Sequence, residues 1–367
     1  MTAALERWEI RAASDIVRDL PVTQAWDGLN AEGANLPFLD ARAVGAALEI
    51  FGKGTEKLLI GLAGKQPVVM IIAGPTGHFR WRTFQPSQIP LGAWVGKAGG
   101  DLSALAHAIC TQALPYCGAF SFTQVDPLFL ERPEDDSTSR TVDYIDTGWI
   151  DLSVSFDEYW SSRGKNLRQN MRKQRNKLQA DGITGRMIRY LDPKEMAGLI
   201  TRYGALESAG WKADSGTAIR ADNAQGRFYA KLLTEAAAQG EASAYEYYFD
   251  DRLVAVDFCL CRSGTITILK TTYDESVHPY SPAFLLLQDV LEEMHREQKW
   301  TRVEFYGRMM EWHTRWTEKK RTLYHLTVYR WPWLKKLATL RKRRASDVVG
   351  DCSGGFPEPA TSATTHR

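Results

Sequence analysis

The residues best suited to chemistry fall in one stretch, ITILKTTYDESVHPYSPAFLLLQDVLEEM followed by TRVEFYGRMMEWHTRW. Glu304 lies between Val303 and Phe305 in an apolar strand pattern. A carboxylate there is either on an exposed face or in a pocket that raises its pKa, and the second case makes it a general base. His313 is the alternative base, or a phosphate ligand when protonated. Tyr273 ends a strand pattern. Its phenol can donate to an oxyanion or a departing group, or simply pack on the following helix. Ser281-Pro282 precedes Ala283 and Phe284 at the start of an apolar-periodic helix, where unpaired N–H groups attract phosphate. Backbone around Lys270 and Thr271 can pair with an extended ligand arm if that strand parts from its neighbour. Asp257 interrupts the run VAVDFCL and is a second buried-carboxylate candidate, for which a structural role is the favoured reading.

These residues require a strand, a polar loop and a helix in succession, and the surrounding pattern predicts them. Ala244–Phe249, Leu253–Cys261 and Thr265–Thr272 read as an antiparallel meander with turns at Asp250-Asp251 and Ser263-Gly264. Pro282–Glu297 reads as a helix, Arg302–Tyr306 and Leu323–Tyr329 as strands. Upstream, Phe156–Ala180 reads as one long helix with Asp157 as its cap. Ile183–Tyr190 reads as a strand, Pro193–Ala209 and Asn223–Gln239 as helices. The first part of the chain offers helices at Ala25–Leu29 and Leu39–Phe51, a hairpin of Lys57–Leu62 with Pro67–Ile72, a strand at His78–Phe84, a helix at Ser103–Ala113 and a strand at Gly118–Val125. The polar, acidic stretch Glu131–Arg140 is the best linker.

With 44% hydrophobic and 25% charged residues the chain has the composition of a globular protein, and its length of 367 residues suits two domains. A net charge of +2 imposes no polyelectrolyte partner. The N-terminal segment has no uninterrupted apolar core and no window matches a membrane span, so a cytoplasmic protein is expected. Five cysteines without a repeat argue against a disulfide scaffold, and Cys259 and Cys261 are expected to be buried as small hydrophobes rather than bound to metal.

From Phe156 to Arg330 the element order resembles the GNAT acyltransferase core. More closely it resembles the acetyltransferase domain of CelD-type cellulose-biosynthesis proteins, and more distantly the FemAB aminoacyl transferases. The residues carrying this resemblance are the basic helix KNLRQNMRKQRNKLQADG, the strands DDRLVAVDFCLCRSGTITILKTTYD, the helix start Tyr280-Ser281-Pro282, and Glu304-Phe305-Tyr306-Gly307. Trp312 and His313 stand in place of a Tyr-Lys pair, Ala283 in place of a glycine, and Trp316 matches a tryptophan. The resemblance implies an α+β fold of tandem GNAT-like, largely antiparallel mixed sheets flanked by helices, with a degenerate N-terminal copy at 1–140 and an acyltransferase domain at 141–330. It further implies an enzyme that takes acetyl-CoA or another acyl-CoA as co-substrate, without a metal. The acyl group would pass directly to a small-molecule or glycan-precursor acceptor; the alternatives are a FemAB-like aminoacyl transferase using charged tRNA and a non-catalytic GNAT-fold scaffold of a polysaccharide synthase. Glu304, His313 and Tyr273 would be catalytic; Lys270, Thr271, Ser281, Ala283 and Phe284 would hold the CoA.

The helix at 163–177 carries Arg163, Lys165, Arg168, Arg172, Lys173, Arg175 and Lys177 with no acidic residue. It fits a solvated face, an anionic substrate, or RNA, since FemAB enzymes use aminoacyl-tRNA; tRNA is the less favoured partner here. Residues 331–345 form a basic amphipathic segment suited to an anionic membrane surface. Residues 346–367 have the composition of a disordered tail.

Overall fold

The computed structural model describes residues 5–97, 100–208 and 219–340. The expected tail at 346–367 and the last residues of the basic segment, 341–345, lie outside the described residues.

The first half runs β1 (Arg7–Ala12), α1 (Asp15–Arg18), α2 (Leu20–Glu32), α3 (Ala41–Phe51), β2 (Lys57–Ala63), β3 (Gln66–Gly77), β4 (Arg80–Thr83), β5 (Trp94–Gly96), α4 (Leu102–Ala108) with a π turn at Ile109–Ala113, and β6 (Ala119–Val125). The second runs β7 (Ser139–Asp151), α5 (Phe156–Ser162), α6 (Lys165–Ala180), β8 (Gly185–Tyr190), α7 (Met196–Ser208), α8 (Ala224–Ala237), β9 (Ala242–Phe249), β10 (Arg252–Arg262), β11 (Thr265–Tyr273), α9 (Pro282–Glu297), β12 (Arg302–Glu304), α10 (Glu311–Trp316) and β13 (Lys320–Tyr329).

The strands form one largely antiparallel sheet in the order β1-β2-β3-β4-β6-β13-β7-β12-β11-β10-β9-β8, with β5 on β3. Each half repeats one plan. An edge strand flanks an antiparallel meander, and the meander's last strand then pairs in parallel with a strand reached through a helix: β4 with β6 through α4, β11 with β12 through α9. The following strand is exchanged. β7 follows β6 but pairs with β12, while β13 follows β12 but pairs with β6. The expected division at 140/141 falls inside β7, and the two halves share one sheet.

Alternation along the strands sets which face each residue serves. Val256, Phe258 and Leu260 of β10 join a core formed with α2, α3, α7 and α8, whereas Cys259 and Cys261 face the core beneath α5, α6 and α9. Val256, Phe258 and Leu260 have no exposed surface, and each such side chain contributes about 1.5–3 kcal/mol of burial. Cys259 and Cys261 are buried and free, as small hydrophobes.

The helix expected over Phe156–Ala180 is two helices. Gly164 is extended (φ −55°, ψ 140°), and Ser155, not Asp157, caps α5 by accepting the Glu158 N–H. The apolar stripe carries on across the break, so periodicity alone conceals it.

Candidate active site

β11 and β12 pair only over Thr265–Thr267 and Arg302–Glu304. Beyond that, β12 ends, Tyr306 turns the chain with a left-handed φ of 48°, and α10 follows. β11 continues to Tyr273 on β10 alone. The strands therefore part, leaving β11 with one free edge. At the mouth a 3-10 turn, Glu275–Tyr280, leads to Ser281, whose φ of 51° swings the chain into α9. Pro282 occupies the first turn of α9 and no side chain caps it. The N–H groups of Phe284 and Leu285 fold back on the Ser281 carbonyl (3.0 and 3.1 Å). Ala283 faces the cavity, and its N–H is among those that a helix start leaves without an intrahelical acceptor.

The opening holds a cavity of about 300 Å³. Leu206, Ile268, Phe284, Leu287, Trp312 and Trp316 give it apolar walls, and Asp257, Glu207, Thr271, Tyr273 and Ser281 bring polar groups. Asp257 lies opposite Thr271 on β11 and Tyr245 on β9. Its side chain is 3% exposed, and Oδ1 has no hydrogen-bond partner among the described residues. Burial pushes the carboxyl up to about 7, opposed by the hydrogen bond to Thr271. A carboxyl with one oxygen left without a partner, beside an apolar cavity and titrating near neutrality, has the properties a general base needs.

Glu207 is the other buried acid of the cavity. Its Oε2 accepts the Ile219 N–H (2.7 Å) and Oε1 accepts the Tyr203 hydroxyl (3.3 Å). That hydroxyl also lies 3.2 Å from the Thr271 carbonyl, so Glu207 fixes the wall around β11.

Thr271, Tyr273, Ser281, Ala283 and Phe284 all line this cavity. Lys270 does not: its ammonium lies 5.7 Å from the centre of the Tyr229 ring, on the α8 side of the sheet. Glu304, expected as the base, is also outside the cavity. Its Oε2 accepts from Arg321 (2.9 Å) and its Oε1 from Arg302 (3.1 Å), and it is 2% exposed. Arg321 also bridges to Asp126 (2.7 and 2.6 Å) at the end of β6, between the Trp149 and Tyr306 rings. Glu304 thus belongs to an ion cluster joining the two halves, with its lone pairs committed to guanidinium groups.

His313 is corrected likewise. Nδ1 accepts the Met310 N–H (2.9 Å), so the ring proton is on Nε2, and burial pushes the imidazolium down to about 4. The neutral ring stacks on Trp312 at 3.5 Å between centroids. It props a cavity wall and supplies neither a cation nor a free base at neutral pH.

Sequence reading ranked Asp257 below Glu304 and passed over Glu207, Trp312 as a wall, and Leu206. The sequence holds one partial signal: Glu304 has Arg302 two residues away on the same strand face, whereas no basic residue stands two residues from Asp257.

The site thus joins a helix start without a side-chain cap, a free strand edge beside it and a buried carboxyl at its inner end. Residues 165–316 match the acetyltransferase (GNAT) domain. The matched stretch contains β8 to β12 with α6 to α10 and every residue lining the cavity. No curated protein matches the chain. Similar solved structures include L-PGS from Bacillus licheniformis, at 14% identity over 84% of this chain and 91% of that one, TM-score 0.47. A tandem GNAT protein from the clavulanic acid biosynthesis pathway shows 15% identity over 87% and 98%, TM-score 0.44. FemX shows 9% identity over 79% and 88%, TM-score 0.45. Among the described residues no cluster of three or more His, Cys, Asp or Glu side chains can hold a metal, and no helix is long and apolar enough to cross a membrane.

Proposed function

We propose that the protein is a CelD-like acyltransferase that passes an acetyl or longer acyl group from CoA directly to an amine or hydroxyl on a cell-envelope or polysaccharide precursor. The observation that carries this reading is Asp257, buried at the cavity where β11 leaves β12, with Oδ1 lacking a hydrogen-bond partner among the described residues. The CoA pyrophosphate sits at Ser281 and Ala283, and the pantetheine arm completes the free edge of β11. Asp257 takes the proton of the acceptor as its nitrogen or oxygen attacks the thioester carbonyl. The tetrahedral intermediate collapses, the C–S bond breaks, and the thiolate departs toward Tyr273, whose hydroxyl protonates it. General base catalysis of this kind contributes roughly 10²–10⁴-fold. Calorimetry with acetyl-CoA and longer acyl-CoAs tests the reading. Saturable binding of at least one supports it, and binding of none overturns it.

A second reading, aminoacyl transfer from charged tRNA, is favoured by one feature. Lys165, Arg168, Arg172 and Lys173 of α6 are exposed, and α6 reaches the cavity mouth through Lys177, 4.2 Å from the centre of the Tyr280 ring. Salt-sensitive tRNA binding, lost when those four residues are neutralised, would select it over acyl-CoA.

A further inference from the structure

The chain ends its described part on a surface that the acyl-transfer site does not use. Residues 332–340 are helical. Trp333, Leu337 and Leu340 recur at helical spacing on the outer side and are 54%, 48% and 56% exposed. Trp331, 45% exposed, stacks on Trp333 at 5.8 Å and 12° between planes. The inner side is fastened to the body. Lys335 Nζ donates to the Asp136 and Ser139 carbonyls (2.5 and 2.8 Å), and Arg330 donates to the Cys110 carbonyl (2.9 Å). Leu334 Cδ1 packs where a side chain on Gly118 would stand, 3.3 Å from that Cβ position. The helix is therefore held in place with its apolar stripe turned out.

Two further aromatics flank it. Phe79, 61% exposed, has its Cβ 3.4 Å from the same Gly118 position, and its carbonyl accepts the Gly118 N–H (2.7 Å). Tyr116, 80% exposed, is two residues before Gly118. Both have left-handed backbones, with φ of 62° and 60°, a conformation that side chains this large rarely adopt. Between Arg330 and Arg344 the sequence holds seven basic residues and no acidic one.

We infer that this surface docks on an anionic lipid bilayer. Trp331, Trp333, Leu337 and Leu340 enter the boundary between headgroups and acyl chains, and the charge of Arg330 and Lys336 faces lipid phosphates. Charge decides between occupants. A second copy would set one basic surface against another, and RNA would leave the Leu337 and Leu340 stripe without a partner. This inference stands apart from the acyl-transfer reading.

The test uses the full chain and unilamellar vesicles of phosphatidylglycerol with phosphatidylcholine, or of phosphatidylcholine alone, in co-sedimentation. Partition onto the anionic vesicles is expected to be at least tenfold stronger than onto the neutral ones and to weaken with salt. Trp331→Ala with Trp333→Ala, and separately Leu337→Asp, should each lower it at least tenfold while thermal melting and acetyl-CoA affinity stay unchanged. No partition, or equal partition by the variants, overturns the inference. So does a dimer in sedimentation velocity that Leu337→Asp dissociates without any vesicle binding, or salt-sensitive RNA binding without vesicle binding.

Discussion

β4 and β11 hold equivalent places in the two halves, yet the first half closes the gap that the second leaves open. Beyond Thr83 the first half fills its own cleft. Thr83 Oγ1 accepts the Thr123 N–H (3.0 Å), the Gly92 N–H donates to the Thr123 carbonyl (3.1 Å), and β5 takes over the edge of β3. Counting from the parallel pairs, Trp94 of β5 stands where the second half has Thr271, and Ile71 where it has Asp257. The helix starts differ in the same sense. Asp101 caps α4 by accepting the Ser103 and Ala104 N–H groups (2.8 and 3.0 Å), whereas no side chain caps α9. A cavity of about 180 Å³ remains in the first half, but its carboxylate, Asp126, is held by Arg321. The two halves share a topology. The candidate site arises where the second half leaves a strand edge and a helix start without the partners the first half gives their counterparts, and sets Asp257 where the first half has Ile71.

The comparison of carboxylates breaks first at Arg321. Arg321→Met leaves Asp126 and Glu304 buried without their shared cation and should cost about 3–5 kcal/mol, read as a shift of the guanidinium unfolding midpoint. Glu304→Gln should cost less and leave turnover nearly intact; a hundredfold fall in kcat would return Glu304 to the role of base. Next is Thr271→Trp, which gives the second half the residue found at the matching place in the first. Acetyl-CoA binding should fall by about 100-fold or more in calorimetry, because the indole occupies the cleft. Unchanged affinity would place the ligand elsewhere. Smaller still is Ser281→Asp, which sets a carboxylate at the start of α9, as α4 already has at Asp101. Acetyl-CoA should bind roughly tenfold more weakly, because the added carboxylate repels its phosphates at the start of α9. The reciprocal Asp101→Ala should lose about 1 kcal/mol of stability and leave acetyl-CoA affinity alone.

How far the sequence foretold this differs by element. Pro282–Glu297 was legible to the residue, because Ser281-Pro282 marks its start and leucines repeat at helical spacing. The meander was legible from its turns. The parting of β11 from β12 was not, since it depends on where a three-residue strand stops pairing. Nor was the choice between Asp257 and Glu304. Both interrupt apolar strands, and what separates them is Arg321, brought to Glu304 by β13 from across the sheet. His313 read as a titratable group because its tautomer is set by a backbone N–H that only the α10 turn delivers. The strand exchange at β7 and β13 left no local signal, because it rests on pairing across the sheet.

The central claim rests on Asp257, and its pH dependence in wild type and Asp257→Asn tests it most directly. The folded carboxyl releases its proton near pH 7 and the unfolded one near the ordinary value of 3.8. Between those limits the unfolded state binds fewer protons, so wild-type stability falls as pH rises through this window, by up to about 4 kcal/mol; Asp257→Asn should flatten that fall. The decisive readout is kcat/KM for thiol release from acetyl-CoA with an amine or hydroxyl acceptor. In wild type it should climb with pH and level off above about pH 7. In Asp257→Asn it should be lower by roughly 10²–10⁴-fold, with that limb absent. A variant that keeps both the wild-type rate and the wild-type limb would contradict the assignment.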